Sequence, residues 1–364
     1  MTTASETPEQ QAPAGTNATD PANTDVSCSR RLPKWLAANE VSLVFTSYQS
    51  GIVFFVGTRP DGGLAIHQAG FPRAMGLSAR RQRIYLASLA QIWRLENMLR
   101  PGELANQQYD VCYVPRNAQT TGDVDAHEIA VEPDGRVIFV NTSYSCLATL
   151  DQVHGFKPIW QPSFISKLAP EDRCHLNGLA MENGKARYVT AVSQSDVVNG
   201  WRDRRSEGGV LIDIASDKVL TDRLSMPHSP RLHNGQLYTL NSGRGHLARI
   251  DRQTGDIDEL AFLPGFLRGL AFHKNHAIVT LSLPRDRSFA GLELDDELKK
   301  RDADAWCGIQ IVELSTGNVV HWLRLDGSIR ELFDVAVLPE VRCPLAVSPL
   351  APEFASTTTM ADTD

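Results

Sequence analysis

The sequence lacks the features that mark membrane, secreted and nucleic-acid-binding proteins. No stretch approaches about 18 consecutive apolar residues, the length that a membrane-spanning helix needs. The N-terminus has neither the basic start nor the apolar segment of a secretory signal. An excess of positive charge is also absent, since the formal net charge is −7 and the pI about 5.8. We therefore expect a cytoplasmic protein that binds neither nucleic acid nor a membrane.

Cysteine motifs are missing as well. None of the six cysteines forms a Cys-x-x-Cys pair, and no zinc-ribbon spacing occurs. The interpretation is that they are small, reduced core residues, as is usual in the cytoplasm. They are Cys28, Cys112, Cys146, Cys174, Cys307 and Cys343.

The two ends of the chain are poor in apolar residues. Residues 1–31 are rich in Ser, Thr, Pro, Ala and Gln, and residues 346–364 are similar. Such segments bury too little apolar surface to offset the entropy of ordering the chain. The sequence predicts disordered tails over these two ranges and a single domain over 32–345.

What the sequence does contain is a repeat of strand-like segments. A short apolar strand, a turn and a second apolar strand recur at spacings of about 40–60 residues. Successive copies read MGLSARRQRIYLASL, HEIAVEPDGRVIFVNT, NGLAMENGKARYVTAV, HSPRLHNGQLYTLNS and RGLAFHKNHAIVTLSL. Four strands at this period are typical of a propeller blade.

A sixth copy is divided between the ends of the domain. ELFDVAVLP supplies its first strand and VSLVFTSYQSGIVFFVG, near the start, supplies the others. Pairing the first and last strands within one blade removes the open sheet edge. The sequence therefore predicts an all-β, six-bladed β-propeller, because a large sandwich would not explain the repeat.

The first strands of the blades line the axis of a propeller, so the starts of these strands meet at one mouth. Four of the six equivalent positions there are polar, although a position used only for packing should be apolar. The six are Met75, His127, Asn177, His228, Arg268 and Phe333. His175 and Glu331 lie two residues before their blades' positions, so they face the same way.

These residue types suggest a metal site with a substrate anchor. His127, His175 and His228 could hold one divalent ion, with Asn177 as a further ligand, and imidazoles favour Fe, Zn or Cu over Ca. Arg268 would bind a carboxylate or another anion. Glu331 would act as a general base or complete the coordination. A metal-free polar pocket and a water-filled channel without a ligand are the alternatives.

Two insertions point to the same mouth. Residues 194–209 and 284–306 interrupt blades three and five between their second and third strands, and DELKKRDAD in the latter predicts a short helix. We expect both to stand over the pocket like lids. Trp201, Arg202 and Arg244 are the candidates for substrate contacts, although each could equally belong to a solvated loop.

Several segments also resemble known proteins. DAHEIAVEPDGRVIFVNTSYSCLATLD, HLNGLA, MPHSPRLHNGQLYTLNSGRG and FLPGFLRGLAF are similar to a conserved bacterial family of unknown function, over roughly residues 35–345. That resemblance implies a propeller but no reaction. HLNGLA is distantly similar to the gluconolactonase and senescence-marker propellers, which implies a cation-binding role for Asn177. Histidines stand where those enzymes use oxygen ligands, which argues against calcium and lactone hydrolysis.

The sequence thus predicts a metal-dependent enzyme with a histidine-ligated divalent ion at the propeller mouth. Its substrate would be a small polar molecule or a peptide, and the residues leave hydrolysis, elimination and oxidation open. The alternative is a non-catalytic scaffold that binds a peptide or protein partner at the same face.

Overall fold

The computed structural model describes residues 24–284 and 291–361, and strands dominate both ranges. Six small sheets form a ring, so the predicted six-bladed β-propeller is confirmed. The first strand of the described chain is the outer edge strand of one blade, and the next three strands belong to a neighbouring blade. These elements are β1 (Thr24–Cys28), α1 (Leu32–Asn39), β2 (Val41–Ser47), β3 (Ile52–Thr58) and β4 (Leu64–Gly70).

Four antiparallel strands then form each of the next four blades, numbered one to four. Blade one has β5 (Leu77–Arg80), β6 (Arg83–Ala87), β7 (Gln91–Asn97) and β8 (Val111–Thr120). Blade two has β9 (Ala126–Val131), β10 (Val137–Asn141), β11 (Cys146–Thr149) and β12 (Lys157–Trp160). Blade three has β13 (Leu176–Glu182), β14 (Lys185–Ala191), β15 (Gly209–Asp213) and β16 (Lys218–Leu224). Blade four has β17 (Pro227–His233), β18 (Gln236–Asn241), β19 (His246–Ile250) and β20 (Ile257–Phe262).

Blade five carries the helical insertion, and the chain then returns to the ring's start. The blade-five elements are β21 (Phe266–His273), β22 (His276–Ser282), α2 (Glu293–Lys300), β23 (Cys307–Glu313) and β24 (Val319–Gly327). The last elements are β25 (Val335–Pro339), β26 (Pro344–Ala346) and α3 (Glu353–Ser356). The helix predicted from DELKKRDAD exists, but it begins earlier and ends before Asp302.

Blade six closes the ring as predicted. Its first strand is β25, which pairs antiparallel with β2 and places Leu43 opposite Val337. The other strands, β3 and β4, follow in order. The strands that close the blade therefore come from opposite ends of the domain.

The hydrophobic core consists of wedges between neighbouring blades rather than one central mass. In the wedge between blades five and six, Phe45 and Phe54 stack with ring centroids 5.0 Å apart. Both are fully buried. Burial of apolar side chains from facing sheets holds each blade against the next.

Close approach of backbones at the axis explains the glycines of the repeated first strands. A Cβ atom on Gly76 would lie 2.6 Å from the carbonyl oxygen of His127, and one on Gly269 would lie 2.7 Å from that of Phe333. Neither neighbour can move easily, because both atoms belong to the backbone. Glycine is therefore required by packing at these positions.

The structure differs from the predicted tail boundaries at residues 31 and 346. Residues 24–28 form β1, a fifth strand on blade five, and Val26 lies opposite Leu325. At the other end, β26 pairs parallel with β8, and Val347 donates a backbone hydrogen bond to Tyr113. Residues 1–23 and 362–364 lie outside the described residues. The helices α1 and α2 have eight residues each, and no helix in the described ranges could cross a lipid bilayer.

Candidate functional site

One mouth of the axial channel opens into a cavity of about 470 Å³ to which all six blades contribute. We call it the axial pocket. Basic, acidic and aromatic side chains share its wall. The lining residues are Tyr48, Arg73, Met75, Asp125, His127, Asp172, His175, Trp201, Arg202, Arg205, Met226, His228, Arg268 and Phe333.

Residues with a left-handed backbone conformation precede the first strands of two blades. In these blades two side chains line the pocket instead of one. Asp125 and Met226 have φ values of 51° and 42° and lie two residues before His127 and His228. Residues other than glycine adopt such angles only at some energetic cost, and such residues often cluster at functional sites. In each of these blades, both the left-handed residue and the residue two positions later line the pocket.

Blade three has the same left-handed backbone conformation before its first strand, but a histidine occupies that position. His175 has a φ of 51° and therefore takes the place that Asp125 has in blade two. It lines the pocket, whereas Asn177 does not. The Asn177 side chain is buried, and its Oδ1 accepts a hydrogen bond of 2.8 Å from the Thr190 hydroxyl. Its predicted ligand role thus has no access to the pocket in this structure.

His127 and His228 are buried imidazoles held in one tautomer. Nδ1 of each lies 2.9 Å from a backbone carbonyl oxygen, that of Asp125 for His127 and of Met226 for His228. A carbonyl only accepts hydrogen bonds, so each Nδ1 carries the proton. Neither Nε2 has a hydrogen-bond partner among the described residues, and both atoms are solvent-accessible. Both Nε2 lone pairs are therefore open to the pocket.

Both rings are neutral near pH 7. Burial, partly opposed by Asp125, lowers the pKa of His127 to about 4, and His175 and Arg268 act in the same direction as burial. Burial and then Arg268 lower the pKa of His228 well below its ordinary value. Neutral imidazoles can accept hydrogen bonds or ligate a metal, but they are weak bases.

His175 has a different environment, because its Nδ1 faces a carboxylate. Nδ1 lies 2.9 Å and 3.1 Å from the two oxygens of Asp172. Its ring is 5.0 Å from that of His127 and 4.2 Å from that of Trp201, measured between centroids. The Trp201 indole donates a hydrogen bond of 2.7 Å to Asp172.

Arg268 is a buried cation without a partner among the described residues. The residue is 8% exposed, and no hydrogen bond or ion pair to its guanidinium is present in those ranges. Nε is fully buried and has no acceptor, whereas the terminal nitrogens are solvent-accessible. Burial lowers its pKa, and Glu331 and Asp125 oppose that shift without contacting the group. Arginine nevertheless stays protonated.

Aromatic rings surround this guanidinium. The distances from its central carbon to the ring centroids are 5.3 Å for Tyr48 and 5.2 Å for both Phe266 and Phe333. Cation–π attraction offsets part of the cost of burying the charge. Glu331 accepts a short hydrogen bond from the Tyr48 hydroxyl and lies outside the pocket lining. Its predicted role as a base or ligand would need the side chain to turn.

The two insertions meet at the mouth. Trp201 packs with Leu292 and Leu294 at the start of α2, and Arg202 lies with its guanidinium 4.5 Å from the Trp201 ring. Trp201 is only 8% exposed, so its ring faces are covered by the protein. Arg244 lies away from the pocket, in an ion pair of 2.9 Å with Glu293. Its predicted substrate contact is not supported by this placement.

Four charged lining residues were missed by the sequence reasoning, namely Arg73, Asp125, Asp172 and Arg205. Arg73 and Asp125 lie two residues before Met75 and His127 and form an ion pair. Asp172 lies three residues before His175. Extending the two-residue periodicity to blades one and two would have found Arg73 and Asp125. No sequence pattern marks Asp172, because a turn brings it back to the ring.

The structure brings His127, His175 and His228 to one pocket, but not close enough to form a ready metal site. Within residues 24–284 and 291–361, no group of three or more His, Cys, Asp and Glu side chains is placed to hold an ion. The ligand set predicted from the sequence therefore does not fit a metal without movement of these rings. Their role as metal ligands stays a prediction.

Comparison with known proteins supports the architecture. No curated protein matches this chain. Solved structures do, including a crystal structure of a nidogen/laminin complex at 11% identity and a TM-score of 0.53, with 83% of this chain and 100% of that chain covered. A catalytically inactive virginiamycin B lyase from Staphylococcus aureus with quinupristin matches at 11% identity and a TM-score of 0.39, covering 83% and 99%.

The first of these likenesses supports the fold alone, and neither bears on the activity. The family comparison is more direct, because it covers most of the domain and agrees with the predicted resemblance. Over residues 30–347 the chain matches, and therefore belongs to, the family described as Domain of unknown function (DUF4915).

Proposed function

We propose that the axial pocket binds a small molecule or a peptide segment through an anionic group, and that the protein is an enzyme acting on that ligand. The observation that carries the proposal is the unpaired, buried guanidinium of Arg268. An uncompensated charge in a protein interior is unfavourable by several kcal/mol. An anion that reaches the terminal nitrogens would relieve this cost, and so would gain affinity from it.

A carboxylate fits this group best. Arginine offers parallel N–H donors that match the two oxygens of a carboxylate. Because Nε of Arg268 is sealed, the terminal nitrogens are the donors available to a ligand. Tyr48 and Phe333 lie beside them and would contact an apolar part of the molecule.

The imidazoles supply the complementary chemistry. The Nε2 atoms of His127, His175 and His228 are open lone pairs on the same pocket. They can accept hydrogen bonds from hydroxyl or amide groups of a ligand, and an imidazole can also move a proton. This set supports acid–base chemistry, which means hydrolysis or elimination.

Titration calorimetry with acetate, benzoate and neutral benzamide tests the anion site. We expect saturable binding of a carboxylate to the wild type, no binding of benzamide, and about 10–100-fold weaker carboxylate binding by Arg268→Gln. Arg223→Gln is the matched control, because Arg223 is exposed and distant from the pocket. Equal carboxylate affinity in wild type and Arg268→Gln would overturn the proposal.

Catalysis needs a separate test. Purified protein is incubated with a metabolite extract, and mass spectrometry follows the loss of anionic compounds. An enzyme should consume a compound in an Arg268-dependent way. Binding of a peptide at this mouth without turnover would instead favour the alternative, a non-catalytic scaffold for a peptide or protein partner.

A metal-dependent enzyme is the second candidate, favoured by the shared tautomer of the three imidazoles. Each donates from Nδ1 to a carbonyl or carboxylate and leaves Nε2 free, as metal-ligating histidines do. A bound Fe, Zn or Cu ion would act as a Lewis acid or activate water or oxygen. Elemental analysis should then find near-stoichiometric metal, which His127→Ala and His228→Ala lose while keeping the fold. Metal-free protein with full turnover would exclude this candidate.

A further inference from the structure

Asp172 holds two side chains of the axial pocket at once. Its Oδ2 accepts a hydrogen bond of 2.7 Å from the Trp201 indole and lies 2.9 Å from Nδ1 of His175. The other oxygen, Oδ1, lies 3.1 Å from the same Nδ1. Trp201 in turn stacks on His175 at a tilt of 30°. The three side chains form one connected group.

The carboxylate sets the tautomer of His175. An ionised carboxylate only accepts hydrogen bonds, so Nδ1 must carry the proton and Nε2 must be the unprotonated nitrogen. Nε2 has no partner among the described residues and is not sealed inside the protein. It therefore faces the axial pocket as a proton acceptor.

His175 differs in this respect from the other two histidines. His127 and His228 donate to neutral backbone carbonyls, which stabilise an imidazolium far less than a carboxylate does. The nearest carboxylate to His127, that of Asp125, is 3.6 Å away and is bound to Arg73. Burial lowers the pKa of His127 and of His228, so both stay neutral. Of the three pocket histidines, only His175 has a negative partner among the described residues in hydrogen-bond contact with its Nδ1.

We propose that Asp172 and His175 form a proton-transfer dyad for the ligand of the axial pocket, with Trp201 as a positioning residue. The assignment rests on the proposed function. Nε2 of His175 takes a proton from a bound O–H, N–H or acidic C–H group, and the Nδ1 proton stays in place. Asp172 stabilises the resulting imidazolium, which then returns the proton from Nε2 to the leaving atom. In elimination, the electron pair of the broken C–H bond forms a double bond as the bond to the leaving atom breaks, and nothing else is consumed. In hydrolysis, the O–H group is that of a water molecule, whose oxygen replaces the leaving atom. Neither reaction needs an oxidant.

Asp172 and Trp201 make the dyad testable without knowing the substrate. In Asp172→Leu, no acceptor remains for Nδ1 of His175, so the proton moves to Nε2, the nitrogen that an unpartnered neutral imidazole prefers to protonate. In Trp201→Phe the carboxylate remains but loses the indole N–H that fixes its Oδ2, so it can turn and holds the Nδ1 proton only part of the time.

Nitrogen-15 NMR of histidine-labelled full-length protein reads these tautomers directly. We expect an unprotonated Nε2 signal for His175 in the wild type, its loss in Asp172→Leu, and a weakened signal in Trp201→Phe. The signals of His127 and His228 should stay unchanged and serve as internal controls. Asp123→Leu is the matched control variant, because Asp123 contacts Arg73 at the same mouth but does not touch His175.

Each outcome decides between the dyad and a merely structural role. A protonated Nε2 in the wild type overturns the dyad even if no variant folds. Retention of the signal in Asp172→Leu overturns the dyad, and an undiminished signal in Trp201→Phe overturns the positioning role of Trp201. Failure of the proposed function is separate: Arg268→Gln would then bind benzoate as the wild type does, whatever the tautomer of His175.

Discussion

Replacing Arg268 with methionine should make the fold more stable, which is the opposite of what most core substitutions do. Methionine keeps much of the length and apolar stem of arginine but removes the charge. In the folded protein that charge is 8% exposed and has no hydrogen-bond acceptor among the described residues. The variant therefore removes an unfavourable desolvation and leaves no partner behind.

The magnitude follows from two opposing contributions. Burying one ion costs several kcal/mol after relaxation of the protein. Three aromatic rings at 5.2–5.3 Å offset part of this, at about 1 kcal/mol each. The net gain expected for Arg268→Met is about 1–3 kcal/mol.

Arg231 provides the matched comparison, because it is also an arginine of a first strand. Its guanidinium donates to the carbonyl oxygens of Leu179 and Pro230 at 3.2 Å and 2.9 Å and to Glu128, and lies 3.7 Å from Asp334. Arg231→Met leaves the carboxyl groups of Glu128 and Asp334 buried without a cation, so it should destabilise the protein by about 3–5 kcal/mol.

Scanning calorimetry of both variants, in a buffer free of carboxylates and phosphate, checks the prediction. The melting temperature should rise for Arg268→Met and fall for Arg231→Met. Adding benzoate should raise the melting temperature of the wild type but not the melting temperature of Arg268→Met. If both variants lose stability equally, Arg268 has partners in solution, and the argument that its charge awaits a ligand fails.

Further predictions concern the opposite end of the channel and the axis. Burial and then Glu128 raise the pKa of Asp334 from 3.8 to about 7, so the folded protein keeps a proton that the unfolded chain releases within this window. This contribution to stability is complete at low pH and is lost as the pH rises toward 7. The melting temperature of the wild type minus that of Asp334→Asn should fall from pH 4 to 8, and a flat difference would contradict the assignment. Gly269→Ala should destabilise the fold by about 1–3 kcal/mol, because its Cβ would meet the backbone of blade six at 2.7 Å. Gly70→Ala, with nothing nearer than 3.4 Å, should be nearly neutral in the same urea titration.

The sequence predicts the ring itself well, because blades repeat a local pattern. Alternating apolar residues mark the hairpins, and Asp-Gly or Asn-Gly turns define the first hairpins of blades two, three and four. The strand β1 was not predicted, since three of its five residues are polar and it directly follows a segment rich in Ser, Thr, Pro and Ala. Such half-buried edge strands depend on the sheet that they join, and the sheet is not visible in the local pattern.

The pocket could be predicted only as far as strand periodicity reaches. Period-two alternation placed His127, His175 and His228 at one mouth, and all three line the axial pocket. It could not show that blade three enters with His175 in a left-handed conformation, which leaves Asn177 beside Thr190. Nor could it place Arg244, because its partner Glu293 belongs to a helix inserted from the next blade.

The two ends of the channel differ in whether their buried charged groups have partners among the described residues. At one end, Glu128, Arg231 and Asp334 satisfy one another and neighbouring backbone groups. At the other, Arg268 lacks an acceptor and three imidazole lone pairs lack donors among the described residues. Both ends are built from the same strands, so packing alone cannot explain why only one is left unsatisfied. The axial pocket therefore holds unpaired hydrogen-bond donors on Arg268 and unpaired acceptors on the three imidazoles. A ligand with a negative end and a proton-donating end would satisfy both sets.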